Sequence, residues 1–471
     1  MTKVLIILLL LTSTFTAANA QPRWNHGRLV VSADGHHLQN EDGTPFFWLG
    51  DTAWELFHRL TVEEITQYLD NRAKKGFTVI QAVVVPEMDG LRVPNRYGQT
   101  PFHGLDPTKP NERYFQLIDT VLQLASDRGL FVGLLPTWGD KVMLLWGVGP
   151  VVFNAGNAFT YGKWIADRYK DRPNVVWILG GDRPAQQDSI DTRPVWRAMA
   201  RGILDATHGH AFITYHPSGG ERSTSRYIHD EDWLAMNMVQ SGHGSGHDVP
   251  VWNWIERDRA LVPPKPVIDA EPNYEDHPVN PWPVWDPANG YFRDHDVRKQ
   301  IYRSVFAGAA GVTYGHHSVW QFWSPREEKI NYADRYWTEA LDRQGAAQAG
   351  YLRWLLESRP FERGIPDQSL IRSASSGRAL HAEAYRDSLG SFVFIYLPEG
   401  GKVETDLHEL KKREVAISWF NPRNGTAIPS ERAAVRTTNV FNSPDSGREH
   451  DWVLVLDDPS AGYGTPGMRK N

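Results

Sequence analysis

Two carboxylates stand where buried stretches of chain end. In Asn174–Pro184 the apolar residues Val175, Val176, Trp177, Ile178 and Leu179 stop abruptly at Gly180, Gly181 and Asp182. In Pro266–Tyr274 an apolar start runs into Glu271, followed by Pro272. Apolar runs of this kind read as strands covered on both faces, hence parallel. In a barrel of parallel strands the C-terminal tips carry the chemistry, and the two glycines let another group approach the backbone closely. A lone Asp or Glu at a strand end is most often a salt-bridge partner or a helix cap. Two of them, with aromatics crowded nearby, suggest a facing pair. One carboxyl would protonate a leaving oxygen while the other attacks an anomeric carbon or activates water; a separation of about 5–5.5 Å would mean retention of configuration and a wider one inversion.

Two close carboxyls cannot both ionise cheaply, so one should titrate high. Asp182 is the expected one, because its glycines and apolar strand offer little positive charge. Arg183 is expected to turn to the opposite face, as strand neighbours do. Glu271 should be held ionised by donors from neighbouring tips, with Tyr314, His316 and Gln240 as candidates. Asp269 lies two residues before Glu271, on the same face by strand alternation, and reads as a deeper structural group.

Other polar tips surround this pair. Asp51 and Glu87 end strands and are candidates for binding substrate hydroxyls or supporting the pair. His216 and His243 follow strand ends in the same way. Trp54, Trp138, Trp320 and Trp323 fall just beyond strand ends, where rings that stack on sugars belong; Trp138, in Pro136-Thr137-Trp138-Gly139, is the first choice. His243-Gly244-Ser245-Gly246-His247 misses the serine-hydrolase elbow because His flanks both ends, leaving a Ser245 esterase as a weaker reading. Adjacent His316 and His317 would point to opposite strand faces and cannot easily share one ion. The residues call for no metal and no cofactor.

The elements that must position these groups alternate regularly. Eight strand-like segments stand in order, at Phe46–Leu49, Thr78–Val85, Phe131–Leu135, the Asp182 run, Ala211–Tyr215, Leu234–Val239, Pro266–Ala270 and Gly311–Tyr314. Helices fall between most of them. Thr61 and Glu64 read as a capping box and Asn111 as a cap. This is the order of an α/β (β/α)8 TIM barrel over residues 21–360, entered through a β-hairpin at 28–48, with Asp182 ending the fourth strand and Glu271 the seventh. An open doubly wound sheet is the alternative, but no Gly-rich phosphate loop supports it. Residues 361–458 change to short strands and turns, a C-terminal antiparallel β-sandwich of about a hundred residues. Residues 459–471 read as a loose tail.

Composition bounds the rest. The chain has 471 residues, no Cys, and 19 Trp. The missing Cys removes disulfides, thiolate metal sites and a Cys nucleophile, and the Trp excess suits a carbohydrate site. A net charge of -6 argues against a nucleic-acid surface. Lys3, the apolar Val4–Leu11 and Ala18-Asn19-Ala20 form a signal peptide over residues 1–20, with cleavage expected before Gln21 and export to the periplasm or beyond. No Cys follows to take a lipid, and no later stretch looks membrane-inserted. Nothing in the residues sets the oligomeric state.

Several strings carry a resemblance. WLGDTAWELFHRLT, KKGFTVIQAVVVPEMDGLR, GLLPTWGDKV, WILGGDRP, ITYHPSGG, NMVQSGH, DAEPNYEDHPVN, VFAGAAGVTYGHHSVWQF and YLRWLLESRPF span residues 48–361. They resemble the apiosidase-like glycoside hydrolases of family 140, and the part ending in DWVLVLDD resembles the collagen-binding-type β-domain usually attached to them. The resemblance implies a (β/α)8 fold of the large retaining clan and cleavage at apiose in side chains of the pectin rhamnogalacturonan II. It also implies Asp182 as acid/base and Glu271 as nucleophile. Clan members usually carry Asn-Glu at the end of strand four; Gly181-Asp182 shortens the acid by one methylene and leaves no Asn beside it. Other readings of the same residues are a glycosidase of another plant cell-wall glycan and a non-catalytic barrel that binds an oligosaccharide or polysaccharide.

Overall fold

The computed structural model describes residues 24, 26–373, 377–410, 413–429 and 431–468. The expected signal peptide and its cleavage point lie outside them. Eight parallel strands form one sheet: β1 Trp48–Thr52, β2 Val79–Val83, β3 Phe131–Leu135, β4 Val175–Gly180, β5 Ile213–His216, β6 Asn237–Val239, β7 Val267–Asp269 and β8 Gly311–Tyr314. Their order is β5-β4-β3-β2-β1-β8-β7-β6, and a parallel bridge from Thr214 to Met236 joins β5 to the start of β6 and closes the barrel.

The pleat sorts side chains by alternation. Val79 and Val83 of β2, Val176 and Ile178 of β4, Met236, Met238 and Ile268 fill the barrel interior with Trp48. Their strand neighbours Ile80, Ala82, Val132, Leu134, Trp177 and Leu179 face the surrounding helices. The helices α1 Val62–Lys74, α2 Glu112–Ser126, α3 Ala155–Tyr169, α4 Arg193–Ala206, α5 Val251–Arg259, α6 Asp294–Phe306 and α7 Gln344–Glu357 wrap the outside. The Thr61/Glu64 capping box opens α1, whose buried Ile65, Tyr68, Leu69 and Arg72 recur at helical spacing. Asn111 caps α2.

The strand expected over Phe46–Leu49 belongs to two sheets. Pro45–Phe46 pairs antiparallel with Leu38–Asn40, while Trp48 onward pairs with β8. The small sheet Leu29–Val31, Leu38–Asn40, Pro45–Phe46 buries Leu29, Leu38 and Phe46 together with Phe131 at the start of β3, closing the end of the barrel opposite the strand tips.

The C-terminal domain is an antiparallel sheet running from Gly364–Pro366 through Glu383–Asp387, Phe392–Leu397, Trp452–Asp457 and Glu414–Asn421 to Thr426–Pro429. One face covers the two-stranded ribbon Gly400–Thr405 and Asn439–Ser446 through Val403 and Phe441. The other lies on α6 and α7: Tyr302 stacks on Tyr396 at 4.9 Å, and Phe306 on Phe394 at 5.9 Å. Two buried ion pairs tie this domain to the barrel side, Arg298 with Asp451 (2.9 Å) and Arg359 with Asp457 (2.5 Å). Residues 459–468 are not the loose tail expected. Tyr463 hydrogen-bonds Ser391 at 2.6 Å and its ring lies under the Arg359 guanidinium, so the chain runs back along the seam between the domains.

Candidate active site

A cleft of 670 Å³ opens at the C-terminal tips of the barrel strands, and every βα loop contributes to it. Trp54 follows β1, Glu87 and Met88 follow β2, Trp138 and Trp146 follow β3, and Asp182 follows β4. Gly219, Gln240, His243, Glu271, Tyr274, His277, Trp282 and Trp320 complete the wall from the later strands.

Asp182 owes its position to the residues before it. Gly180 and Gly181 take φ of 84° and 108°, and Asp182 itself takes 50°, so the chain leaves the strand path before the carboxylate is reached. The close approach foreseen for the glycines is real: a Cβ on Gly181 would lie 2.8 Å from Cε3 of Trp138, and one on Gly180 would lie 2.3 Å from the carbonyl oxygen of His216. Because the backbone is no longer a strand, alternation fails at Arg183. Its guanidinium does not turn away. Nη1 donates to Asp182 Oδ2 at 3.1 Å, while Nη2 donates to Glu87 Oε1 at 2.9 Å and to the carbonyl of Trp146 at 2.5 Å. Trp146 Nε1 also donates to Asp182 Oδ2, at 2.8 Å.

Glu271 is held differently. His243 Nε2 lies 3.2 Å from Oε1, and His216 Nε2 lies 3.0 Å from Oε2, close enough for charge to act though not aligned as a hydrogen bond. The backbone N–H of Tyr274 donates to His243 Nδ1 at 3.3 Å, which leaves the proton on Nε2, facing the carboxylate. Tyr274 in turn accepts from Trp54 Nε1 at 3.0 Å and engages Glu271 through its hydroxyl. His243 is stacked on His277 at 4.2 Å.

The electrostatics of the two carboxyls diverge. Burial raises the Asp182 pKa; Arg183 opposes this, the nearby Glu271 charge reinforces it, and the net direction is up. Burial also pushes Glu271 up, but the two imidazoles outweigh it and bring the group down to about 2. Glu87 is pushed up to about 7 by burial, Arg183 opposing and the Asp182 charge adding to it. Asp269 reaches about 7, again by burial, although Ser241 and Ser304 donate to it. It is fully buried, held by Ser304 of α6, and does not line the cleft that Glu271 lines: the shared face expected for the two is lost because β7 ends at Asp269.

Of the residues singled out from sequence, Trp54, Glu87, Trp138, Gln240, His243 and Trp320 meet Asp182 and Glu271 in the cleft, and His216 backs Glu271 from the barrel interior. Trp323 does not line the cleft; its indole donates to the carbonyl of Glu327 at 3.1 Å. Trp138 is only 4% exposed, its ring against Gly181 and tilted on Trp54 at 5.1 Å, so it packs more than it displays. Gln240 Oε1 and Trp138 Nε1 are buried without a hydrogen-bond partner.

Asp51, Tyr314 and His316 are not brought to the cleft. Trp48 points into the barrel, so Asp51, three residues on, points out; it accepts from Tyr68 (2.5 Å) and Arg72 (2.6 Å) on α1. Tyr314 follows the same rule after inward Thr313, and its hydroxyl donates to Glu275 at 2.6 Å instead of to Glu271. His316 lies 3.1 Å from Asp276 and accepts from Ser318 N, capping the short helix His317–Trp320. Tyr274, His277, Trp146 and Arg183 were missed as site residues. Tyr274 stood in the same EPNY string as Glu271, but nothing in the sequence signalled Trp146.

The family model of the apiosidase-like catalytic domain matches residues 32–363. A second, described as "Putative collagen-binding domain of a collagenase", matches residues 365–457. Among solved structures the chain is similar to a glycoside hydrolase family 5 protein from Bacteroides vulgatus, at 31% identity and a TM-score of 0.86, over 95% of this chain and 96% of that one. It is also similar to a chain described as a glycoside hydrolase, at 32% identity and a TM-score of 0.84, over 93% and 98%. A family 30 subfamily 8 xylanase from Clostridium acetobutylicum, at 12% identity and a TM-score of 0.50, over 92% and 100%, shares the fold. No curated protein matches the chain.

Proposed function

The chain belongs to the apiosidase-like family and is a glycoside hydrolase, and on that premise we propose that it is an exported, retaining enzyme that cleaves apiose linkages in the side chains of rhamnogalacturonan II. Asp182 is the acid/base and Glu271 the nucleophile. The observation that carries the assignment is the opposite pull on two carboxyls in one cleft, Asp182 raised and Glu271 lowered to about 2. A retaining glycosidase needs this at rest: a protonated acid and an ionised nucleophile.

In the first step a Glu271 oxygen bonds to the anomeric carbon as the glycosidic C–O bond breaks and the Asp182 proton passes to the leaving oxygen. In the second, Asp182, now ionised, takes a proton from water as that water attacks the glycosyl–Glu271 ester and frees the carboxylate. Burial beside a second carboxylate favours the protonated Asp182 of the first step, while Arg183 and Trp146 steady the ionised Asp182 of the second.

Azide rescue tests the roles. Asp182→Ala should keep glycosylation on substrates with activated leaving groups and, with azide, yield a glycosyl azide of retained configuration. Glu271→Ala with azide should yield the inverted azide. Products the other way round would exchange the roles, and near-wild-type turnover by Asp182→Asn and Glu271→Gln on apiosyl fragments would end the assignment.

A further inference from the structure

Trp146 touches the Asp182 carboxyl and still keeps 46% of its surface exposed. It sits on the loop between β3 and α3, where Leu144, Val148 and Val151 are also exposed, at 50%, 45% and 48%. Exposed apolar side chains on one loop read as a surface that a ligand covers, and of these Trp146 lines the cleft. The loop is pinned from beneath. Arg183 Nη2 holds the carbonyl of Trp146, and the N–H of Gly149 donates to the buried Asp140 at 2.8 Å. Gly147 lies so close below that a Cβ there would come within 2.7 Å of Glu87 Oε1. The indole has two faces. The Arg183 guanidinium covers one, 4.2 Å from the ring centroid, while the residue lines the cleft with nearly half of its surface exposed.

The chemistry says what belongs on the open face. When the glycosidic bond breaks, the oxygen that takes the proton belongs to the leaving group, so that sugar must sit within hydrogen-bond reach of Asp182. The group already at that carboxyl on the rim side is Trp146. We propose that Trp146 forms the stacking floor of the leaving-group subsite and at the same time positions the acid, so that it is both specificity-determining and positioning. The occupant is a sugar ring presenting a C–H face to the indole while its linkage oxygen meets Asp182. The inference rests on the acid role given to Asp182.

The two functions separate by substitution. Trp146→Phe keeps a ring and removes the N–H; Trp146→Ala removes both. The probe is the oligosaccharide that the wild-type enzyme releases from a rhamnogalacturonan II side-chain fragment, used as a product inhibitor, with free apiose as the control for the other side of the cleft. Trp146→Ala should weaken inhibition by the oligosaccharide about tenfold or more, the scale of one lost ring contact, and leave inhibition by apiose unchanged. Trp146→Phe should keep oligosaccharide inhibition within about threefold. It should also move the alkaline limb of the kcat/KM profile to higher pH, because the lost N–H had favoured the ionised acid. Oligosaccharide inhibition unchanged in Trp146→Ala, or weakened equally for apiose, overturns the subsite. If Trp146→Ala does not fold, the Phe profile decides: an alkaline limb that stays in place overturns the positioning role. Failure of the underlying reading shows in the wild type, as absent turnover on every apiosyl fragment or reversed azide stereochemistry, and overturns the subsite with it.

Discussion

The two imidazoles at Glu271 can be tested one at a time. Glu271 lies at about 2 against an ordinary 4.5, a drop of about 2.5 (4.5 − 2). At about 1.36 kcal/mol per unit this is roughly 3 kcal/mol favouring the charged form, achieved against the cost of burial. With only 6% of the residue exposed, solvent does little to screen it. His216 and His243 approach one oxygen each, at 3.0 and 3.2 Å, and because their pull must first offset burial, the two together supply more than the net drop. His243→Phe keeps a ring against His277 and Tyr274 and removes the charge-stabilising N–H. The Glu271 pKa should then rise by at least about one unit, since the burial penalty stays, and the acid limb of kcat/KM should rise with it if Glu271 attacks only when ionised. Stability follows the same sign. A carboxyl lowered on folding adds stability above its unfolded value near 4.5, and loses it as pH falls from there toward about 2. The variant should have less to lose in that window. The assay is a kcat/KM profile from neutral to acid pH, paired with thermal melts at the same pH values. An acid limb that stays within about 0.3 unit of wild type would refute the claim that His243 holds the nucleophile ionised.

Two further substitutions test what the structure says about residues the sequence placed at the site. Asp51→Asn breaks a fully buried pair with Arg72 and should cost about 3–5 kcal/mol in denaturant melts, with KM changed less than about twofold; a raised KM at full stability would return Asp51 to the substrate. Trp138→Ala removes a ring packed between Gly181 and Trp54 and should cost about 3–5 kcal/mol of stability by the same measurement, whereas an unmoved melting temperature with weakened substrate binding would make it a stacking platform after all.

The barrel and the two carboxyls that meet in its cleft were legible in the sequence because their signal is local. Buried parallel strands are continuous apolar runs, and a run that ends in Gly-Gly-Asp or Ala-Glu announces its tip. The misplaced residues come from the same rule used incompletely. Alternation counted from inward Trp48 sends Asp51 outward, and from inward Thr313 it sends Tyr314 outward. Beyond the last strand residue the rule stops, and at Asp269, Asp182 and Arg183 it misleads, because positive φ angles or the end of the strand reset the side-chain direction. Trp146 and His277 were out of reach altogether. They lie on long βα loops whose paths are set by Asp140, Arg183 and Tyr274, contacts between elements that no periodicity encodes.

The C-terminal sheet covers the outer side of α6 and so completes the burial of that helix rather than hanging from the barrel as an appendage. From His295 to Phe306 that helix is buried along its whole length, with β7 and β8 on one side and Tyr385, Phe394 and Tyr396 on the other. Cutting the chain after residue 360 would turn Tyr302 and Phe306 toward water and take Asp451 from Arg298, leaving it only Asp294 and Gln348 among these partners. Ser304, which holds Asp269 beneath the Glu271 tip, is carried on this same helix. The second domain thus works as a keel: whatever else it touches, its weight is felt two shells away, under the floor of the cleft.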